Sequence, residues 1–443
     1  MSRLQDRRDA RDGLKVLSGG RQPLVAALDL GASKIGCFIM RPDGARRDDR
    51  TIQVAGVAHV RSRGVRAGAI VDMEAAAEAL GQAVERAETM AGASVSGVVV
   101  TTSGGQLASH RVRAAVSLGA RPIGDHDLSR AIQMVLAQSR FAGRRAIHLL
   151  PIGWTVDDQR GVRDPRNMHG RALGLDMLVV TVAESAWRTL SHCLELAHLQ
   201  LEGVVAAPFA SALAALEDDE MDLGCACIDM GGGSTSVAVF AGGSLVHADS
   251  LAVGGQHVTN DIARGLTTTL AGAERIKTLH GSAIASSGED REMIEAPPRG
   301  DDPGAGPVVA PRSLLKGMIA PRVEETLELV RERLRAAGVA LEPGAGVVLT
   351  GGASQLTGVR EVAVRVLDRP VRLGRPRRAP HLAEAASGPA FCAAAGVLHR
   401  AAFGPREAVA VRALTGGAPA GRAPADPNAG ALMRAAGWLR ANL

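Results

Sequence analysis

Two stretches of this chain combine a carboxylate, a glycine turn and a hydroxyl between apolar runs, a pattern suited to holding phosphate. The first is VAALDLGASKIGCFI, with Asp29, Gly31, Ser33 and Lys34. The second is CACIDMGGGSTSVAVF, with Asp229, Gly231, Gly232, Gly233, Ser234 and Thr235. A glycine turn lets backbone N–H groups converge on one anion, because no Cβ blocks the approach. The hydroxyls of Ser33 and of Ser234 or Thr235 add donors, and Lys34 adds positive charge. An aspartate at the end of each strand, Asp29 and Asp229, can hold Mg²⁺ through water. Two such hairpins facing one another across a cleft would clamp the β- and γ-phosphates of a nucleotide. A third segment, AGVVLTGGASQL, ends a strand on Thr350, Gly351, Gly352 and Ala353, where bare backbone allows flat approach to a nucleoside. A lone D-x-G is equally a plain hairpin turn; the weight lies in the pair together with the third segment. Neither G-x-x-x-x-G-K-[ST] nor a G-x-G-x-x-G that follows a strand is present, which disfavours other nucleotide folds.

The elements that must carry these turns alternate. PLVAALDLG and KIGCFIM predict adjacent strands around a tight turn. Residues 71–92 have helical spacing, SGVVVTTSG reads as a strand, and HDLSRAIQMVLAQSR as a helix with Asp127 as its cap. MLVVTVAE is a strand before the helix AWRTLSHCLELAHLQ. The alternation indicates an α/β protein, and the repeat of one strand–turn–strand unit per half indicates a two-lobed, duplicated fold. Residues 1–22 lack periodicity and read as a disordered arm. Residues 281–312, rich in Gly, Pro and acid, read as a long loop or short irregular strands. After Phe403 a Gly/Ala/Pro stretch reads as a flexible linker, whose r.m.s. reach is on the order of 25–30 Å.

Composition narrows the function. The chain has 443 residues, 46% hydrophobic and 22% charged, which suits two or three globular domains. No apolar run approaches the roughly 18–20 residues that span a bilayer, and the polar start disfavours secretion. Five scattered cysteines, with no Cys-x-x-Cys pair, argue against disulfides and structural zinc and fit a reducing cytoplasm. Cys225 and Cys227 read as small buried hydrophobes, and Met73, Met90 and Met134 as core. The net charge, 51 − 46 = +5, is spread over tails and loops, and aromatics are 2% with no Tyr, so nucleic acid is not an expected partner.

The three motifs resemble the phosphate 1, phosphate 2 and adenosine motifs of the superfamily that joins actin, DnaK-type chaperones and sugar kinases. From about residue 24 to 443 the chain resembles the FtsA family of actin-like cell-division proteins, through SRG at 62–64, LLPIGWTVDDQRGVRDPRNMHG (149–170), DMGGG, AERIK (273–277), PRSL (311–314), VVLTGGASQL and the terminal helix. The resemblance implies an actin-like two-lobed fold with subdomain 1A at 23–94, 174–205 and 384–402, and 1C at 95–173 including GVVVTTSG. It puts 2A at 206–255 and 325–383, and 2B at 256–324. It implies ATP and Mg²⁺ as ligands: Asp29, Gly31, Ser33 and Lys34 at phosphate 1, Gly231, Gly232, Gly233 and Ser234 at phosphate 2, Gly351 and Gly352 (with Ala353) at the nucleoside, and Glu274 and Lys277 beside adenine and ribose. Without the family, Glu274 and Lys277 read as a solvated i,i+3 pair. Relatives that hydrolyse ATP place an acid or amide near the interdomain helix; here that segment, VAAPFAS (Val205–Ser211), carries Ala, which implies slow turnover, and no catalytic base is assigned.

The family implies self-assembly into filaments, recruitment of later division proteins through 1C, and docking of the acidic tail of the tubulin-like protein FtsZ on 2B, where Arg312, Lys316 and Arg322 fall. It also implies a peripheral place on the cytoplasmic side of the inner membrane. In residues 429–443, Leu432, Ala435, Ala436, Leu439 and Leu443 share one helical side, flanked by Met433, Trp438 and Arg440. Such a helix lies in an anionic membrane surface, and filament avidity would strengthen its marginal single-copy binding. A superfamily kinase or phosphatase, and an actin-like pilus-assembly module, are the alternatives.

Overall fold

The computed structural model describes residues 24–43, 51–285, 291–299, 307–342, 344–376 and 387–403. The expected arm (1–22), the linker (403–428, beyond its first residue) and the membrane-helix residues Leu432, Met433, Ala436, Trp438, Leu439 and Leu443 lie outside them.

In chain order the first part contains β1 (Val25–Leu30), β2 (Lys34–Asp43), β3 (Thr51–Arg61), the short β4 (Val65–Arg66) and β5 (Ala69–Ile70), α1 (Met73–Ala91) and β6 (Gly97–Thr102). Then come β7 (Ala108–Ser117), α2 (Asp125–Gln138), β8 (Arg144–Val156), β9 (Gln159–Val162), β10 (Ala172–Ala183), α3 (Glu184–Leu196) and β11 (Gln200–Ala206). The chain crosses through α4 (Ala207–Ala215) and α5 (Asp218–Leu223) into β12 (Cys225–Met230), β13 (Thr235–Ala241), β14 (Ser244–Leu251), α6 (Gly255–Gly265) and α7 (Leu270–His280). It continues with β15 (Met293–Ala296), β16 (Val308–Pro311), α8 (Ser313–Ala336), β17 (Gly346–Thr350), α9 (Val359–Leu367), β18 (Val371–Leu373) and α10 (Cys392–Phe403).

Two five-stranded sheets repeat one plan. Their orders are β3-β2-β1-β6-β11 and β14-β13-β12-β17-β18. In each, the first three strands form an antiparallel meander, and the first strand is parallel to a later one that is parallel to the edge strand. The register repeats too: Asp29 lies opposite Gly36 and Thr101, and Asp229 opposite Ser236 and Thr350. The central strands are nearly continuous apolar runs because both sheet faces are covered. Helix α1 shows how: Asp72 caps it by accepting from the Ala75 N–H at 3.1 Å, Gly92 ends it at φ 62°, and Ala76, Ala79, Leu80, Ala83, Val84 and Ala87 recur at helical spacing as its buried face.

Between the two halves of the first sheet, β7, β10, β8 and β9 form a separate four-stranded sheet, packed on α2 around Leu128, Ile132, Trp154 and Leu173. Three expectations change here. GVVVTTSG, expected within 95–173, pairs in the first sheet between β1 and β11, since its parallel register carries Asp29 opposite Thr101. Asp127 is not the cap of α2 but its third residue; Gly124 occupies the cap and its N–H donates to Asp127 at 3.1 Å. Met90 and Met134 are exposed, 61% and 41%, because their positions fall on the outer faces of α1 and α2; Met73 packs at the core edge. Cys225 and Cys227 are buried as expected, and burial pushes the Cys225 thiol up to about 12. Part of residues 281–312 forms the hairpin β15–β16.

The lobes share a core. One cluster runs from Phe38, Leu80 and Val100 through Phe209 to Cys227, Phe240 and Val348. At its centre the alanine-rich α4 and α10 cross so closely that a Cβ on Gly396 would stand 1.7 Å from the Ala210 carbonyl oxygen. Gly396→Val is expected to cost about 1–3 kcal/mol or more by overpacking; a melting temperature equal to the parent's would contradict this packing.

Candidate functional site

The two hairpin turns meet where the lobes face each other. A Cβ on Gly232 would lie 1.9 Å from Ser33 Oγ, and one on Gly233 would lie 2.5 Å from the Ala32 Cβ and 3.0 Å from the Ala67 nitrogen. Only glycine permits this approach. The second turn is closed by the Gly231 N–H donating to the Ser234 carbonyl at 2.9 Å. It is backed by the start of α6, whose Gly255 and Gln256 N–H groups donate to the carbonyls of Gly231 (2.9 Å) and Gly232 (2.7 Å). Gln256 Nε2 also donates across to the Ala32 carbonyl at 3.4 Å.

Behind the turns sit Asp29 and Asp229. Thr101 Oγ1 donates to Asp29 Oδ1 at 2.7 Å, and Ser211 Oγ, on α4, donates to Asp229 Oδ2. Burial pushes the Asp29 carboxyl up from its ordinary range. Burial, reinforced by the like charge of Asp29, pushes Asp229 up to about 6 against the Ser211 bond and Lys34. The Lys34 ammonium lies 3.0 Å from the centroid of the Phe391 ring, a cation–π contact. Burial lowers it to about 8, although both aspartates pull it upward. Thr235 Oγ1 is buried with no hydrogen-bond partner among the described residues.

The third segment completes the floor. Gly351 has φ 85°, and a Cβ there would meet Asp229 Oδ1 at 2.2 Å, so glycine is required on two grounds. Gly352 opens the 3₁₀ turn Gly352–Gln355. A Cβ on Gly255 would stand 3.0 Å from Ala353 Cβ and 3.8 Å from Lys277 Nζ, which brings α7 to the same place. Lys277 Nζ donates to Glu274 Oε2 (2.7 Å), Thr259 Oγ1 (2.8 Å) and the Gly255 carbonyl (3.2 Å). Its three protons are thereby spent within the protein, so it acts as a strut from α7 to α6 rather than as half of a solvated pair.

The structure thus gathers Asp29, Gly31, Ser33, Lys34, Asp229, Gly231, Gly232, Gly233, Ser234, Glu274, Lys277, Gly351, Gly352 and Ala353 where the two turns, the start of α6 and the third segment meet. Arg312, Lys316 and Arg322 lie apart from it, around α8. Arg312 donates to Glu292 (2.7 Å) and the His280 carbonyl (3.1 Å), Arg322 pairs with Asp261 at 2.6 Å and with Glu325, and Lys316 is exposed. Thr101, Ser103, Ser211, Gly254, Thr259 and Phe391 were not singled out from the sequence. A signal for Thr101 and Ser103 was present: GVVVTTSG and GVVLTGGA are a second repeated pair, which the matched registers of Asp29 and Asp229 reveal.

Comparison with known proteins bears on the family and the fold. The family model for cell division protein FtsA matches residues 226–396, and the model for the SHS2 domain inserted in FtsA matches 104–181, which covers the four-stranded sheet up to the last two residues of β10. The chain is 43% identical over 434 residues to the cell division protein FtsA of Agrobacterium fabrum, covering 96% of each chain. It is 45% identical over 391 residues to that of Rhizobium meliloti, covering 87% and 88%, and 30% identical over 385 residues to that of Escherichia coli K12, covering 85% and 90%. Among solved structures, the PilM-PilN type IV pilus biogenesis complex aligns with TM-score 0.60 at 17% identity, over 86% of this chain and 99% of the other. MreB5 of Spiroplasma citri bound to ADP aligns with TM-score 0.51 at 15% identity, over 89% and 99%. These likenesses give the fold: actin-like and two-lobed.

The carboxyl of Asp229 is costly to ionise where it stands. Its folded pKa lies above the unfolded value of 3.8, so the folded state binds the extra proton and stability is lost as pH rises through about 6. Asp229→Asn is expected to melt above the parent at pH 7 and close to it at pH 4.5; a lower melting temperature at pH 7 would contradict that sign.

Proposed function

The chain belongs to the FtsA family of cell-division proteins, and from that premise we propose that it binds ATP with Mg²⁺ between its lobes, polymerises in that closed form and anchors the FtsZ ring to the cytoplasmic membrane. The carrying observation is the contact of two glycine turns over a pair of half-buried carboxylates. The residues fit the ligand. The glycine turns leave room for backbone N–H groups to approach an anion, Ser33 Oγ lies against Gly232 of the second turn, the Thr235 hydroxyl has no hydrogen-bond partner among the described residues, and Lys34 supplies a cation. Two carboxylates with hydroxyl partners suit a hydrated Mg²⁺ shared with phosphate, not an all-protein cage. Among the described residues there is no cluster of three or more His, Cys, Asp or Glu that would make such a cage. Bound ATP supplies a phosphate chain that both lobes can grip at once, and Mg²⁺ offsets the paired aspartates. Glu274, braced by Lys277 and Thr259, serves the ribose side, with Gly351, Gly352 and Ala353 beneath the nucleoside.

The partner assignments rest on the family. We assign residues 256–324 to 2B and the docking of the acidic FtsZ tail to its surface. There Lys316 and the apolar Leu314, Met293 and Val309 are exposed, while Arg312 and Arg322 would have to exchange their present carboxylate partners for those of the tail. Later division proteins are assigned to the four-stranded sheet and the anionic membrane surface to residues 429–443. No helix among the described residues is long and apolar enough to cross a membrane.

The decisive experiment is sedimentation of the full chain with phosphatidylglycerol-containing vesicles and purified FtsZ, with and without ATP. Pelleting should rise with ATP and vanish when residues 429–443 are deleted; a protein with no affinity for ATP or ADP would overturn the reading. The acid side of the binding profile follows from Asp229. Mg²⁺–ATP affinity is expected to fall as pH drops through about 6 because the carboxylate gains a proton, and that fall should be absent in Asp229→Asn, whose affinity at pH 7 should be at least about ten-fold weaker.

A further inference from the structure

Beyond the two phosphate turns, the lobes are joined by a short strap. Ser103, just after β6, shares a 2.8 Å hydrogen bond with Ser234 Oγ of the second turn. Six residues on, in edge strand β7, Ser109 Oγ accepts from the Ala248 N–H at 3.1 Å and bonds His247 Nδ1 at 3.1 Å, both in edge strand β14. One segment of the first lobe therefore touches the second lobe at both its ends, once at the phosphate turn and once where the four-stranded sheet begins. The strap has little slack. Gly104 is pressed on Gly68, where a Cβ would stand 2.0 Å from the Gly68 carbonyl. The Gly105 carbonyl accepts from Ala183 at 2.8 Å, Arg144 Nη2 donates to the Gln106 carbonyl, and Leu107 is buried.

We propose that Ser103 is a positioning residue of the phosphate pocket, acting through Ser234, and that residues 103–109 carry nucleotide occupancy into the four-stranded sheet. The proposal rests on the nucleotide-binding reading above and extends it. The chemistry is that of a hydroxyl chain. In the Ser103–Ser234 pair either oxygen can donate. A phosphate oxygen only accepts, so a phosphate at the second turn takes the Ser234 proton and leaves its lone pairs to Ser103. The bond then has one direction, Ser103 to Ser234 to phosphate, and each link polarises the next. Nucleotide thereby tightens the strap, and by reciprocity a looser strap weakens nucleotide binding.

Amide hydrogen exchange of the full chain, without nucleotide and with ADP or a non-hydrolysable ATP analogue, tests this alongside titration with a fluorescent nucleotide. The parent should gain protection over residues 105–117 on binding. Ser103→Ala should bind about two- to ten-fold more weakly, the loss of one net hydrogen bond, and lose that gain, while Ser103→Thr restores both. Ser109→Ala, which loosens the strap at its far end, should show no gain over residues 108–117 and bind nucleotide more weakly than the parent, though by less than Ser103→Ala, which keeps the idea testable should Ser103→Ala misfold. A parent that binds nucleotide with no change in 105–117, or a Ser103→Ala that keeps the change, overturns this proposal alone. A parent that binds no nucleotide overturns the functional reading and this with it.

Discussion

Two half-buried carboxylates at the contact of two turns set the terms for the rest of the molecule. Asp29 and Asp229 stand at the ends of matching strands, each held by one hydroxyl, with a single amine between them. Removing two like charges from water is expensive, and one ammonium with its own desolvation cannot balance both. The proton equilibria record this, with both acids driven up and Lys34 driven down. Such a site is built to be completed by charge from outside, which is where buried, mutually perturbed groups usually signal function.

The architecture exists to hold that point. A repeated five-stranded sheet brings the same register position, an aspartate near the end of its strand, to the interface from each side. Gly232 and Gly233 of the second turn then let it close on Ala32, Ser33 and Ala67 of the first lobe. The shared core through α4 and α10 keeps the lobes in one packed body, so that the serine, threonine and lysine donors arrive preorganised rather than gathered by the ligand.

Electrostatic and packing roles are divided among residues of one type. Lys34 faces the aspartates with a proton equilibrium near neutrality, whereas Lys277 spends every proton on protein oxygens and fixes a helix. Arg322 is tied to Asp261 and Glu325, whereas Lys316, about 1.7 helical turns before it on α8, is exposed. Residue type alone does not separate these roles; what decides is the count of acceptors within reach.

The sequence alone carried the turns, the doubled plan, the α/β alternation and the family, because these rest on local rules: strand periodicity, glycine conformation and fixed spacing. The residues named from those motifs are gathered at one place for that reason. It misplaced GVVVTTSG, because membership of a sheet is set by pairing partners distant in the chain, and it misjudged Met90 and Met134, because which helix face is inner depends on the sheet beneath. Ser211 and Phe391 entered only through the tertiary structure. Each is unremarkable in its own segment, and each acquires its chemistry from a partner roughly 20 to 360 positions away, a distance in sequence that only folding closes.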